Sequence, residues 1–140
     1  MAAERVRLDP PAATILVVDD ESVVRTMLRT FLERNGYHVL DADGGEAAKS
    51  IAEQHERIDL LLTDVKMPNI SGPELAMYLR RRCPDLKVLY ISAYDPDELL
   101  LRPHILEHGF GFIQKPFALE VLANWISGIL RSAPTRQTDK

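Results

Sequence analysis

The sequence predicts an α/β fold, a doubly wound five-stranded parallel sheet with helices on both faces, and three observations lead there. Short unbroken runs of Val, Ile and Leu recur along the chain, and runs of that length suit strands buried on both faces. Amphipathic stretches with helical spacing separate them, giving five β–α units in succession, the pattern of a parallel sheet. The chain has 140 residues, 46% of them apolar and 27% charged, which fits one domain able to bury roughly two thirds of its unfolded surface.

The first run is Thr14–Val18, ending at Asp19 and Asp20. In Ser22–Asn35 the residues Val24, Met27, Leu28, Phe31 and Leu32 fall on one helical arc, with Arg25, Arg29 and Glu33 opposite. Gly36 is the expected C-terminal stop. Tyr37–Ala42 is the second strand, and Gly45–Gln54 the second helix, with Ala47, Ala48 and Ile51 inward. Ile58–Thr63 is the third strand, ending at Asp64. Ser71–Cys83 is the third helix: Pro73 lies in its first turn, where proline is tolerated, and Pro84 ends it. Lys87–Ser92 forms the fourth strand and Phe110–Gln114 a weaker fifth. The fourth helix is expected to start at Asp95–Leu101, to be cut short by Pro103, and to give way to irregular chain through Gly109. Ala118–Arg131 is the last helix, with Leu119, Leu122, Ile126 and Ile129 as its stripe. Val121 and Trp125 widen that stripe at its margin, as core flank or as a partner surface. The run Arg80–Arg82 reads as a solvated helix face. Residues 1–13 and 132–140 are polar and proline-containing, and are expected to be flexible ends.

Composition excludes several classes. Cys83 is a lone cysteine, so no disulfide framework exists and a reducing compartment is compatible. No apolar run approaches the ~20 residues of a membrane span, and residues 1–13 contain no apolar signal-peptide core. A net charge of -4 gives no electrostatic footprint for nucleic acid. The expectation is a cytoplasmic globule.

In doubly wound sheets ligands sit at the carboxyl ends of the strands. Here those ends deliver Asp19, Asp20 and Glu21 after strand one, Asp64 after strand three, Ser92 after strand four and Lys115 before Pro116 after strand five. Crowded carboxylates raise one another's pKa unless a cation neutralises them, and as hard oxygen ligands they suit Mg²⁺. With an ammonium and a hydroxyl added, they form a site for a phosphoryl group, whose transfer needs positioning and charge neutralisation above all. A carboxylate can itself be the nucleophile, and Asp64, ending a central strand, is the best candidate, with Ser92 and Lys115 binding phosphoryl oxygens. Each residue alone has a plainer reading: Asp20 or Glu21 as a helix cap, Asp64 as a turn residue, Ser92 as a strand-end hydroxyl, Lys115 as a solvated charge. Four strands delivering compatible chemistry to one edge favour the joint reading. His104 and His108 lack matching ligands at a strand end, so neither a metal pair nor a phosphohistidine relay is expected of them.

Taken together, Val17–Glu21, Asp64–Pro68 with Gly72, Ile91–Ala93 and Gln114–Phe117 resemble the motifs of a receiver domain of a two-component response regulator, and the pattern is most similar to receivers of hybrid sensor histidine kinases. The resemblance spans nearly all of 14–130. It implies a flavodoxin-like (βα)5 receiver over 14–131 with strand order 2-1-3-4-5. It also implies that Asp64 is the phosphoacceptor, that Asp20 binds Mg²⁺ directly with Asp19 acting largely through water, and that Asp64 and the backbone carbonyl of Lys66 complete the ligands. Ser92 matches the switch hydroxyl, Phe112 the switch aromatic and Lys115 the phosphoryl-binding lysine, its bond to Pro116 expected to be cis. Lys66 and Tyr94 match positions that flank the route of hydrolytic water, and Tyr94 is expected to shield the phosphoryl group. The implied partners are a sensor histidine kinase or histidine phosphotransfer protein and a downstream protein target, with a homodimer possible and no nucleic acid or membrane. With only Ser132–Lys140 left over, the chain is expected to act through partners. The interrupted fourth helix departs from the family's usual signalling face, which leaves family-wide dimer modes open.

Three other functions fit the sequence less well. A degenerate, binding-only receiver fits poorly with Asp20, Asp64, Ser92 and Lys115 all present. An aspartyl-phosphate phosphohydrolase needs a second Asp where Lys66 stands, and a capping insertion for which there is no room. An FMN carrier needs a phosphate loop after strand one, which is missing.

Overall fold

The computed structural model describes residues 12–131, so residues 1–11 and 132–140 of the two expected flexible ends lie outside the described residues. Five strands, β1 (Thr14–Val18), β2 (His38–Ala42), β3 (Leu60–Asp64), β4 (Lys87–Ser92) and β5 (Gly111–Gln114), alternate with five helices. The helices are α1 (Ser22–Arg34), α2 (Gly45–Gln54), α3 (Gly72–Arg82), α4 (Arg102–His108) and α5 (Leu119–Arg131). All strand pairs are parallel, as the β–α alternation predicts, and their order is β2-β1-β3-β4-β5, as the resemblance implies.

Two-residue alternation divides the apolar strands between two cores. Ile15, Val17, Leu60, Leu62, Leu89 and Ile91 pack with Leu28 and Leu32 of α1 and Leu122 and Ile126 of α5. Leu16, Val18, Leu61, Val88 and Tyr90 pack with α2 and α3 on the opposite face. Each fully buried Leu or Ile contributes roughly 1.5–3 kcal/mol. Covering both faces leaves the strand ends as the place for polar chemistry.

Local signals set the helix bounds. Asn35 caps α1, and Gly36 follows at φ 93°, a left-handed position suited to glycine. At α3, Ser71 Oγ accepts the Glu74 amide at 3.2 Å and Glu74 Oε1 accepts the Ser71 amide at 2.9 Å, a complete capping box.

The fourth helix differs from the sequence expectation. Residues 96–100 form turns, with the Asp97 amide bonded to Asp95 Oδ1 at 2.7 Å and Leu100 at φ 57°. The regular helix lies after them, over Arg102–His108, where irregular chain was expected. Pro103 starts this helix instead of interrupting it, because the first-turn amides have no intrahelical acceptor to lose. Gly109, at φ 68°, ends it.

His104 of α4 meets Tyr90 of β4. Its Nε2 lies 2.7 Å from the Tyr90 hydroxyl. Burial pushes the Tyr90 phenol well above its usual pKa, so it keeps its proton. Burial, with His108 adding and Glu107 opposing, lowers the pKa of His104, so a protonated phenol and a neutral imidazole share this bond. Arg80 of α3 lies over the Phe110 ring against which both histidines pack. An imidazole with a lowered folded pKa contributes stability that is present above its unfolded value, 6.5, and lost as pH falls through the folded value. Unfolding free energy is therefore expected to decline more steeply below pH 6.5 than in His104→Gln, which keeps an acceptor for Tyr90 but cannot titrate. Denaturant unfolding across that range measures it, and parallel declines would count against the pairing.

Candidate functional site

Strand parallelism carries the carboxyl ends of β1, β3, β4 and β5 to one edge, and the residues just beyond them meet there. Asp19 is fully buried; its Oδ1 accepts the Glu21 amide at 2.9 Å, and its Oδ2 lies 3.4 Å from Lys115 Nζ. Lys115 Nζ is also 3.5 Å from Asp64 Oδ2 and 3.7 Å from Glu21 Oε1. The lysine thus bridges the ends of β1, β3 and β5. Its backbone amide donates to the Ser92 carbonyl at 2.7 Å, and the Lys115–Pro116 bond is cis.

Burial raises the pKa of Asp64; the Lys115 ammonium opposes this and the Asp19 carboxylate adds to it. Burial works against the charge of Lys115 too, but Asp64 and Asp19 outweigh it and hold the ammonium above its ordinary value. One cation among three carboxylates leaves the site short of positive charge.

The donor set fits a hard divalent cation. Asp19, Asp20 and Asp64 each offer a carboxylate oxygen, all within 4.8 Å of one another. Asp20 is exposed and Asp64 only partly buried, so the cluster opens to solvent on one side, which suits an ion that retains waters. Lys66, whose backbone carbonyl is the fourth expected ligand, lies two residues beyond Asp64.

The remaining predicted residues fall around this centre. Ser92 is buried at the end of β4, its Oγ accepting the Tyr94 amide at 3.0 Å, which leaves its own O–H free to donate. Phe112 is half-buried and pairs in register with Tyr90, so it shares a sheet face with Tyr90 and, two residues on, Ser92. Lys66 Nζ lies 4.6 Å from the centre of the Tyr94 ring, which joins the two residues expected to flank Asp64 and Ser92. Val121 and Trp125 are both partly exposed on α5. His104 and His108 stand against Tyr90 and Phe110, away from the carboxylates.

Sequence alone brings Glu21 to this edge without naming its partner, and it misses Arg25. Glu21 brings a third carboxylate to Lys115. Arg25, placed by helical periodicity on the polar arc, turns its guanidinium back to the Asp19 carbonyl. Its position one turn after Glu21, beside an acidic loop, was the available signal.

Comparisons with known proteins agree with this geometry. Residues 15–127 match the family described as response regulator receiver domain. The chain is 37% identical over 120 residues to the sensor kinase CckA of Brucella abortus (strain 2308), a match covering 85% of this chain and 13% of that protein. It is 42% identical over 119 residues to the response regulator MprA of Mycobacterium ulcerans (strain Agy99), covering 84% of this chain and 50% of that protein. The chain therefore spans half or less of the length of these curated relatives. Among solved structures, it is similar to the receiver domain of the hybrid histidine kinase CckA (TM-score 0.71, 36% identity, 84% of this chain and 99% of that one). It is also similar to the response regulator TrrA of Thermotoga maritima in complex with Mg²⁺ and BeF (TM-score 0.72, 30% identity, 84% of this chain and 98% of that one).

Proposed function

Because the chain belongs to the response regulator receiver family, we propose that it is a phosphoacceptor module of a two-component phosphorelay, taking a phosphoryl group onto Asp64 from a phosphohistidine of a sensor kinase or phosphotransfer protein. The observation that carries this reading is Lys115 Nζ standing between Asp19 and Asp64 beside the three-aspartate cluster. A carboxylate oxygen of Asp64 attacks phosphorus, the bond from phosphorus to the histidine nitrogen breaks, and the imidazole leaves with a proton from solvent. Lys115 balances charge on the phosphoryl oxygens, and the Ser92 hydroxyl donates to one of them. Mg²⁺, held by Asp19, Asp20, Asp64 and the Lys66 carbonyl, would supply the positive charge the carboxylates lack. Hydrolysis of the acyl phosphate resets Asp64, so the chain is a switch and not a turnover enzyme.

Turning Ser92 toward the phosphoryl group opens space on the face it shares with Phe112, which follows inward and biases a two-state surface read by a downstream protein. We take the receiver to be residues 14–131 and its place of action to be the cytoplasm. No helix of the described residues is long and apolar enough to cross a membrane. Incubating the chain with a phosphohistidine-bearing phosphotransfer protein, with and without EDTA, tests the reading. Transfer abolished by EDTA is expected; no transfer from any of the host's phosphohistidine proteins would contradict it.

Tyr94, whose ring centre lies 4.6 Å from Lys66 Nζ, is proposed to shield the acyl phosphate from water. Tyr94→Ala should shorten the phosphoryl half-life by roughly two- to fivefold, the effect of lowering the hydrolysis barrier by about 0.5–1 kcal/mol. An unchanged half-life would remove the shielding role.

A further inference from the structure

Asp20 is the most exposed of the three clustered aspartates, so its aim depends on the backbone that carries it. That backbone is fixed from an unexpected side. The Asp19 carbonyl accepts a hydrogen bond from Arg25 Nη1 at 2.7 Å, while the Asp19 amide donates to the Ala42 carbonyl at 3.2 Å. The carbonyl belongs to the planar peptide that joins Asp19 to Asp20, so holding it sets the plane of the Asp20 amide as well. Arg25 is itself braced: its Nε lies 3.4 Å from Asp41 Oδ2, and Arg29 Nη1 lies 2.6 Å from Asp41 Oδ1. The Arg25 side chain is only 19% exposed, and a guanidinium fork can serve a carbonyl and a carboxylate together.

We infer that Arg25 is a positioning residue for divalent-cation binding, clamping the Asp19–Asp20 peptide so that the Asp20 carboxylate is held toward Asp19 and Asp64. The inference rests on the phosphoacceptor reading of the cluster. It also has a sign that separates it from simple electrostatics. Removing a cation near a cation site should tighten Mg²⁺ binding by Coulomb's law, whereas removing a clamp should weaken it.

The test is calorimetric titration of the full chain with Mg²⁺ alone, with amide hydrogen exchange of the metal-free protein alongside. Arg25→Gln is expected to weaken Mg²⁺ binding roughly tenfold, the scale for groups that orient metal ligands, and to speed exchange of the Glu21 amide. Asp41→Asn, which frees Arg25 without touching Asp19, should give a smaller loss in the same direction. Arg34→Gln, an exposed cation at the far end of α1, should stay within about twofold. Unchanged or tighter Mg²⁺ binding in Arg25→Gln overturns the inference alone. Failure of the unaltered chain to bind Mg²⁺ overturns the phosphoacceptor reading and the inference with it.

Discussion

Lys115→Met is expected to destabilise the metal-free chain by about 2–3 kcal/mol, somewhat less than breaking a fully buried ion pair. The ammonium lies within 3.4–3.7 Å of Asp19, Asp64 and Glu21, and the Asp19 side chain is fully buried. Without it, these carboxylates face one another with no fixed counter-charge. Mg²⁺ should then restore more stability to the variant than to the unaltered chain, because a divalent ion supplies the missing charge by mass action. Phosphorylation should nevertheless fall sharply, since Met offers no donor to the phosphoryl oxygens. Denaturant unfolding with and without Mg²⁺ measures the first two effects. A variant as stable as the original would mean that Lys115 does not neutralise the cluster.

The second large effect is steric. A β-carbon at Gly72 would overlap the Asp64 carbonyl oxygen and come within 3.1 Å of the Val65 α-carbon. The backbone has no room to retreat, because the Gly72 amide donates to the Val65 carbonyl at 2.8 Å. Gly72→Ala should therefore cost about 2–3 kcal/mol and displace the end of β3 that carries Asp64. Gly44→Ala is the control: nothing lies within 4 Å of its β-carbon position, and the change should stay within about 0.5 kcal/mol. Equal stabilities for the two variants would show that the close approach of α3 to Asp64 is not a constraint.

These expectations indicate how far the site was legible in sequence. Strand-end chemistry was readable because parallel strands bring their carboxyl ends to one edge regardless of loop detail; Asp19, Asp20, Asp64, Ser92 and Lys115 needed only the alternation of elements. Side-chain reach was not readable. Arg25 sits on the polar arc by periodicity, yet its long side chain folds back to the Asp19 carbonyl, and periodicity reports where a side chain leaves the helix, not where it ends. The placement of α4 failed for a different reason. Pro73 and Pro103 are both first-turn prolines, but the apolar run Leu99–Leu101 ahead of Pro103 reads as helix and makes that proline look like an interruption. The structure spends Leu99 and Leu100 in turns, with Leu100 in a left-handed conformation, and starts the helix at Arg102. The Tyr90–His104 bond escaped for the related reason that His104 lay in chain expected to be irregular.

The most direct test is to treat the chain with a small acyl-phosphate donor and Mg²⁺, trap the product by borohydride reduction, and map the modified residue by mass spectrometry. The expected result is one phosphoryl group per chain, on Asp64, absent with EDTA and absent in Asp64→Asn. Modification at another residue, or none in the presence of Mg²⁺, would contradict the assignment of the strand-end cluster as a phosphoacceptor site.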